Sequence, residues 1–324
     1  MKVGILGCGA YGMALSSILT DNDCNVMMWT KFVNEKEQLE TTRKNERALP
    51  GFELSNKINI TTDMEKIIDF SDLLIIAIPT GFVEETVEVM KNYVKNQHIL
   101  IASKGIQQKT GKFLHQIVEE YIDTDKIAIL SGPTFAYDVI QKSPMGLSIA
   151  TKNLKTFEVI KKALSNRYVK VRYTSDVIGV EICGTVKNII AIATGMLSGI
   201  NTTSSTQAMF LTEVIHDIED ILRLFNADKK TVLSYSGIGD LLLTCTSEKS
   251  RNFCYGKLLG EGNPEEVIEE YTKNNTVEGL YSLKSVHELL EKNNLDAPII
   301  SIIYDIVFGD KSVKELLPFL ITKD

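Results

Sequence analysis

The stretch KVGILGCGAYGMALSSIL, residues 2–19, decides the fold of the first half of the chain. An apolar run with strand character leads into Gly7, Gly9 and Gly12, spaced as G-x-G-x-x-G, and a helical pattern follows. In a strand–turn–helix setting, the first glycine permits a tight turn and the second lets the backbone approach a pyrophosphate. The third permits close packing of helix on strand, and the helix N-terminus attracts the anion. The stretch therefore predicts a Rossmann-like dinucleotide site.

Short apolar runs alternate with helical patterns up to about residue 175. The predicted strands are Val3–Leu6, Val26–Trp29, Leu73–Ile78, Ile99–Ser103, Ile127–Leu130, Leu147–Ala150 and Val169–Arg172. The predicted helices between them include Gly12–Leu19, Val83–Val94 and Thr110–Tyr121. Strands that alternate with helices predict a parallel sheet built from right-handed βαβ units.

From residue 176 onward nearly every pattern is helical. The predicted helices are Val177–Leu197, Gln207–Phe225, Pro264–Lys273, Leu280–Asn293 and Pro298–Val307. Two short polar stretches between them, Gly239–Leu241 and Ser250–Asn252, have the composition of loops. The fold class is therefore α/β, with a doubly wound dinucleotide-binding domain over residues 1–175. An all-helical substrate-binding domain over residues 176–324 follows it.

Composition limits the classes of partner. The net charge of -7 and the pI of about 5.3 argue against nucleic acid or an anionic membrane as the main partner. The most apolar region, residues 183–200, contains Lys187 and Asn188 and predicts a buried helix, so no membrane insertion is expected. The five cysteines form no C-x-x-C pair and the four histidines are scattered, so no metal site is expected. No secretory signal is visible at the start. We expect a reduced, cytoplasmic protein whose apolar helices are compatible with a homodimer.

The residues after the second predicted strand bear on the choice of dinucleotide. An acid about 20 residues after the glycine motif binds the ribose 2′-hydroxyl of NAD in this fold. Here NVMMW, residues 25–29, runs into Thr30 and Lys31 without an acid. Lys31 either neutralises the 2′-phosphate of NADP or is a solvated surface lysine, and the two interpretations weigh equally. We expect NADP or NAD as the cofactor, with Lys31 favouring NADP.

Lys187 is the only charged residue between Glu181 and Glu213. Lysines are almost never fully buried without a partner. Either the stem of Lys187 extends to solvent, or its ammonium is held in a closed site by chemistry.

Polar clusters elsewhere favour the chemical interpretation of Lys187. Ser103–Gly105 and Ser131–Ala136 each follow a predicted strand, where open α/β sheets place their ligands. In the helical half, Gly239–Leu241 and Ser250–Asn252 add an aspartate, an arginine and several donors. This set suits a small, doubly charged phosphate ester that also carries hydroxyl groups.

Several motifs together resemble one family. GILGCGAYGMAL, RKNERALPG, ASKGI, SGPTFA, GVEICGTVKNIIAIATGM, GIGDLLLTC, SEKSRN and VEGL occur in the order of the bacterial-type NAD(P)-dependent glycerol-3-phosphate dehydrogenases. The resemblance runs almost from end to end. It implies an oxidoreductase that interconverts dihydroxyacetone phosphate and sn-glycerol 3-phosphate by hydride transfer. In this family glycerol phosphate supplies glycerophospholipid synthesis.

The resemblance also implies roles for individual residues. Lys187 matches the proton-transferring lysine of the family. Substrate contacts are implied for Lys104, Gly132, Thr134, Lys187, Asp240, Ser250, Arg251 and Asn252. Dinucleotide contacts are implied for Gly7, Gly9, Ala10, Tyr11, Gly12, Lys31, Lys104, Ala136, Arg251, Thr276 and Glu278.

The sequence departs from the family pattern in one segment. Where the family usually has GxxxNAxxALxTRG, Ser205 replaces an expected Asn and Glu213 an expected Arg. The Arg-to-Glu change reverses a charge and leaves the substrate open. The alternatives are a dehydrogenase of another small phosphorylated or acidic hydroxy substrate, and a catalytically silent dinucleotide sensor.

Overall fold

A computed structural model describes residues 1–108 and 110–323. The chain forms two compact units. The first comprises Met1–Lys104 and Phe113–Val177, and the second comprises Gly105–Lys112 and Ile178–Asp324. The predicted domain boundary at residue 175 stays a prediction.

The first unit is built on an eight-stranded sheet of the order β3-β2-β1-β4-β5-β6-β7-β8. The strands are β1 Lys2–Leu6, β2 Asn25–Trp29, β3 Asn59–Thr61, β4 Leu73–Ile76, β5 His98–Ile101, β6 Ile127–Ser131, β7 Met145–Ala150 and β8 Val169–Thr174. The first six strands pair in parallel in the Rossmann order. Ile5 and Ile75 pair in register and are both fully buried, because helices cover both faces of the sheet.

Seven α-helices connect these strands in the described part of the unit. They are α1 Ala10–Asp21, α2 Val33–Thr42, α3 Met64–Phe70, α4 Val83–Met90, α5 Leu114–Tyr121, α6 Ala136–Ile140 and α7 Leu154–Leu164. The short edge strand β3 and the helices α2 and α3 escaped prediction, because α2 is strongly polar and β3 has only three residues. The helix predicted from Thr110 begins at Leu114.

One connection departs from the predicted all-parallel sheet. Strand β7 runs antiparallel to β6, with Ser131 opposite Ser148. Helix α6 has only five residues, so it rises about 7.5 Å, whereas the five-residue strand beside it spans about 17 Å. The helix is too short to return the chain to the start of β6, and β7 therefore runs the opposite way.

The second unit is helical. Its helices are α8 Val177–Gly199, α9 Ser204–Leu224, α10 Asp240–Cys245, α11 Arg251–Gly260, α12 Glu265–Asn274, α13 Glu278–Lys292, α14 Pro298–Phe308 and α15 Leu316–Thr322. The first residue of α8, Val177, is the last residue of the first unit. Helix α8 is long and apolar enough to cross a membrane, but its most apolar window is 94% buried inside the protein. It is a core helix, as the sequence predicts.

Helices α8 and α11 cross with their backbones in contact. A Cβ atom on Gly195 would lie 2.0 Å from the carbonyl oxygen of Phe253, and one on Gly256 would lie 1.8 Å from that of Ile192. Gly199 and Gly260, one turn further along each helix, meet similar obstacles. Four glycines thus let α11 approach the helix that carries Lys187.

The two polar stretches predicted as loops lie on helices instead. Asp240 is the first residue of α10, and Arg251 is the first residue of α11. A five-residue π-helical turn, Tyr235–Gly239, leads into Asp240. The prediction failed because both helices are short and begin with polar residues, which resemble turns in composition.

Candidate active site

The glycine-rich turn of the first unit has the geometry of an anion cradle. Gly7 has a φ of 120°, and a Cβ atom there would lie 2.4 Å from the carbonyl oxygen of Ala77. A Cβ atom on Gly12 would lie 2.2 Å from the carbonyl oxygen of Gly7, so both positions require glycine. Gly9, by contrast, faces open space and caps α1 without a side-chain hydrogen bond. The backbone at Gly9 is therefore accessible to a pyrophosphate, and Ala10 and Tyr11 form the first turn above it.

The ends of two further strands, β5 and β6, carry predicted site residues. The carbonyl of Lys104, after β5, accepts a hydrogen bond of 2.7 Å from Thr80 Oγ1, after β4. After β6, Thr134 Oγ1 lies 3.2 Å from the hydroxyl of Tyr11. Gly132 has a φ of 150°, and a Cβ atom there would lie 2.6 Å from the carbonyl oxygen of Gly146, so a side chain is excluded. These parallel strands end at one sheet edge, together with the glycine turn and Ala136, the first residue of α6.

Beyond β2, Lys31 contacts one aromatic ring and one carboxylate. Its Nζ lies 3.2 Å from Glu85 Oε1 and 5.2 Å from the centroid of the Phe82 ring. Phe32 and Phe82 are 60% and 48% exposed, which is unusual for phenylalanine. Glu35, in the first turn of α2, accepts a hydrogen bond from the side chain of Thr30. The strand end thus has a carboxylate after all, supplied by the following helix.

In the second unit, Lys187 is buried with two partners on α10. Its Nζ lies 2.6 Å from Asp240 Oδ1 and donates a hydrogen bond of 3.0 Å to Thr244 Oγ1. The side chains of Lys187 and Asp240 are 9% and 1% exposed. The hydroxyl of Thr244 in turn donates to the backbone carbonyl of Asp240, one helical turn before it. Such a pair is held by its mutual attraction, and removal of either charge leaves the other desolvated.

The surroundings of this ion pair are buried. The Cys245 thiol is 2% exposed and lies 3.9 Å from the backbone carbonyl of Lys187. Burial raises the pKa of Cys245 to about 12, so the thiol is neutral at physiological pH. A low local dielectric strengthens electrostatic interactions at the Lys187 ammonium.

A buried amide cluster adjoins Lys187. Asn252 donates from Nδ2 to Asn188 Oδ1 at 3.0 Å and accepts from the backbone amide of Gly279 at 2.9 Å. Nδ2 of Asn188 is buried and has no hydrogen-bond partner among the described residues. Unsatisfied buried donors are rare and costly, which makes this amide a candidate ligand contact.

The other predicted residues of the second unit lie on the same helices. Ser250 caps α11, and its Oγ accepts a hydrogen bond of 3.3 Å from the amide of Phe253. The side chain of Arg251 is exposed, while its carbonyl accepts from the Tyr271 hydroxyl at 3.1 Å. Thr276 is exposed just before α13, and Glu278 is the first residue of that helix. Through Asn252 and Gly279, the start of α13 is fixed beside the start of α11.

Glu213, which replaces an Arg expected from the family, belongs to a separate ion cluster. Glu213 Oε2 lies 3.2 Å from Lys323 Nζ, which also lies 3.4 Å from Asp217 Oδ1. Lys323 is only 8% exposed, and Asp217 accepts a hydrogen bond from the amide of Ile299. Ser205 is exposed in the first turn of α9. The reversed charge at residue 213 is therefore balanced by Lys323, which fastens the last residues to α9.

We expect Lys323→Ala to lower the free energy of unfolding by about 2 kcal/mol, because Glu213 and Asp217 then face each other without a cation. Burial opposes the charge on Lys323, but the Asp217 charge and the hydrogen bonds with Glu213 and Asp217 outweigh it and raise the pKa above its ordinary 10.5. A raised lysine pKa means that this stabilisation is complete below pH 10.5 and lost as pH rises through the folded-state value. Denaturant unfolding between pH 7 and pH 11 measures both effects.

The exposed Lys314→Ala variant is the matched control, and its stability should equal that of the wild type. Equal stability of Lys323→Ala and Lys314→Ala would contradict the role of the cluster.

Thr244, Asn188 and Glu35 were missed by sequence reasoning. Thr244 follows Asp240 by four residues, and residues with this spacing lie on one face of a helix. Thr244 was missed because no helix was predicted at this position. Glu35 was missed because the acid of a Rossmann fold was sought at the strand end rather than on the next helix. The described residues contain no group of three or more His, Cys, Asp or Glu side chains able to hold a metal ion.

Comparison with known proteins covers both halves of the chain. A family model described as the N-terminus of NAD-dependent glycerol-3-phosphate dehydrogenase matches residues 2–157. The model of the C-terminus of the same family matches residues 176–318.

Individual relatives match over nearly their full length. Glycerol-3-phosphate dehydrogenase [NAD(P)+] of Staphylococcus haemolyticus is 33% identical over 100% of this chain and 98% of its own length. The enzyme of the same name from Staphylococcus aureus is 34% identical, with the same coverage. The crystal structure of glycerol-3-phosphate dehydrogenase from Coxiella burnetii superposes with a TM-score of 0.94 at 28% identity and covers 99% of each chain.

Proposed function

The chain belongs to the NAD(P)-dependent glycerol-3-phosphate dehydrogenase family, and we propose that Lys187 is the proton donor and acceptor of its reaction. The enzyme interconverts dihydroxyacetone phosphate and sn-glycerol 3-phosphate with NAD(P)H. The observation that carries the proposal is the ion pair of Lys187 and Asp240, 2.6 Å apart in a buried setting. The stability of the fold does not require this ion pair, because two apolar side chains of similar volume would pack equally well. The charge of Lys187 is therefore better explained by catalysis.

The first unit fits the dinucleotide. Gly9 faces open space at the start of α1, where backbone amides can receive the pyrophosphate. The exposed rings of Phe32 and Phe82 beside Lys31 offer flat apolar surface to the adenosine end. When bound, the nicotinamide supplies the hydride, and the protein supplies orientation and proton transfer. Lys104 and Ala136, at the same sheet edge, are proposed contacts of this cofactor.

In ketone reduction, the hydride is added to C2 of dihydroxyacetone phosphate and negative charge develops on the C2 oxygen. The ammonium of Lys187 stabilises that charge and donates a proton to the oxygen. In the reverse direction, neutral Lys187 accepts the proton of the C2 hydroxyl. Asp240 and Thr244 hold Nζ from two sides, so that the proton is delivered from a fixed position.

The remaining polar residues are proposed to bind the substrate. The guanidinium of Arg251 can donate hydrogen bonds to two phosphate oxygens at once. Its exposed side chain at the start of α11 is accessible to an anion. The unpaired Nδ2 of Asn188 adds a donor beside Lys187. The other proposed substrate contacts are Lys104, Gly132, Thr134, Ser250 and Asn252. Thr276 and Glu278 are proposed dinucleotide contacts.

The cellular role follows from the product. We propose that the enzyme works in the cytoplasm and that its glycerol 3-phosphate supplies phospholipid synthesis. The buried ion pair favours turnover over silent binding, because a sensor has no use for a desolvated lysine. A homodimer stays a prediction.

An assay with purified enzyme tests the phosphate contact. We expect Arg251→Ala to lower kcat/KM for dihydroxyacetone phosphate by about a hundredfold, because a charged bidentate contact of about 3 kcal/mol is lost. We expect the reaction with unphosphorylated dihydroxyacetone to be slow in the wild type and to be unchanged by this substitution. Nicotinamide absorbance measures both rates.

The matched control is Arg223→Ala, since Arg223 is exposed and pairs only with Asp220 among the contacts described on α9. This variant should behave as the wild type with both substrates. An equal loss on both substrates in Arg251→Ala would remove Arg251 from the phosphate site.

A further inference from the structure

We propose that Glu85 is a specificity-determining residue that makes the enzyme prefer NADH to NADPH. The proposal rests on the dinucleotide site of the first unit described under the proposed function. It concerns the carboxyl end of β2, where a Rossmann fold receives the adenosine ribose and therefore the 2′-phosphate of NADPH.

Lys31 is the cation at this position, and it forms an ion pair with Glu85. Its Nζ lies 3.2 Å from Glu85 Oε1 and above the Phe82 ring, which comes from the turn just before α4. Glu85 lies in the first turn of α4, so its backbone position is fixed by that helix. A 2′-phosphate that approached Lys31 would have to displace this carboxylate or lie beside it.

A second carboxylate faces the same strand end. Glu35 accepts a hydrogen bond from Thr30 and another, of 3.2 Å, from Asn45 Nδ2, so both of its oxygens are held. Its charge is also felt at the glycine turn, because burial and then Glu35 raise the pKa of the Cys8 thiol. Glu35 is therefore anchored to the residue that follows β2 and is near enough to the glycine turn to affect Cys8.

The local charge disfavours a further anion. Lys31, Glu85 and Glu35 together carry one net negative charge, and a phosphate monoester adds about −1.5 to −2 at neutral pH. A free ribose 2′-hydroxyl, by contrast, can donate a hydrogen bond to a carboxylate. Lys31 considered alone favours NADP, but Lys31 paired with Glu85 favours NAD.

Binding of the two reduced dinucleotides tests the proposal without reliance on turnover. The single tryptophan of the chain, Trp29, is the last residue of β2, so its fluorescence reports on this site. We expect the wild type to bind NADH about ten times more tightly than NADPH in low salt. Glu85→Gln should tighten NADPH binding about tenfold and change NADH binding less than twofold. The difference should shrink in high salt, where surface charges are screened.

Glu88→Gln is the matched control, because Glu88 is an exposed acid on the same helix that pairs with Lys91 instead. It should leave the ratio of the two dissociation constants unchanged. The proposal is overturned if the wild type prefers NADPH, or if Glu85→Gln and Glu88→Gln shift both dinucleotides alike. A wild type that binds NADH but does not reduce dihydroxyacetone phosphate would refute the proposed function. The comparison of NADH and NADPH binding would still decide the role of Glu85. Absence of all dinucleotide binding would refute both.

Discussion

Lys187→Ala is expected to lower kcat for dihydroxyacetone phosphate reduction by about a thousandfold, because the developing alkoxide loses its proton donor. Binding of NADH should be unchanged, since Lys187 is not among the proposed dinucleotide contacts. Steady-state nicotinamide absorbance measures the rate, and Trp29 fluorescence measures the binding.

Two controls separate chemistry from folding in this variant. Lys273→Ala removes an exposed lysine that pairs with Glu269 in the same unit, and it should keep the wild-type rate. Lys187→Ala leaves Asp240 buried without its cation, at a cost of about 3–5 kcal/mol, so Lys187→Ala with Asp240→Asn should recover stability but not activity. A Lys187→Ala rate within tenfold of the wild type would refute the proposed role.

Gly256→Ala is expected to lower the melting temperature of the chain by about 5 °C. An added Cβ would lie 1.8 Å from the carbonyl oxygen of Ile192, and backbone atoms cannot move aside as a flexible side chain can. Helices α8 and α11 must separate, and we expect the lost packing to cost about 3 kcal/mol. Thermal unfolding followed by circular dichroism measures the shift.

The matched control for this crossing is Gly81→Ala, because a Cβ atom at Gly81 meets no atom within 4 Å. Its melting temperature should lie within about 2 °C of the wild type. A Gly256→Ala variant as stable as Gly81→Ala would show that the two helices do not cross as closely as described.

The first unit could be predicted well from sequence because its signals are local. G-x-G-x-x-G lies between a strand and a helix, and apolar runs such as residues 73–76 form central strands. The features that were predicted wrongly or missed depend on contacts outside a short stretch of sequence. The reversal at β7 follows from the length of α6, and the polar helix α2 has only one buried residue, Leu39, to indicate its inner face.

The candidate site was predicted unevenly for a related reason. Lys187 could be proposed from the sequence because a single charge in an apolar helix is conspicuous. Thr244 and Asn188 could not, since their importance depends on a contact with Nζ and on a missing hydrogen-bond partner, respectively. Glu213 gave a false signal of altered substrate, because its partner Lys323 lies 110 residues away in the chain.

A single-turnover experiment tests most directly the claim that Lys187 transfers the proton. Lys187→Ala would be loaded with NADH and mixed with saturating dihydroxyacetone phosphate, and the decay of nicotinamide absorbance would be followed. The account predicts a hydride-transfer step about a thousandfold slower than in the wild type, at every substrate concentration that saturates the site. A step at the wild-type rate, with only a weaker affinity for substrate, would show that Lys187 binds the substrate and that another group carries the proton.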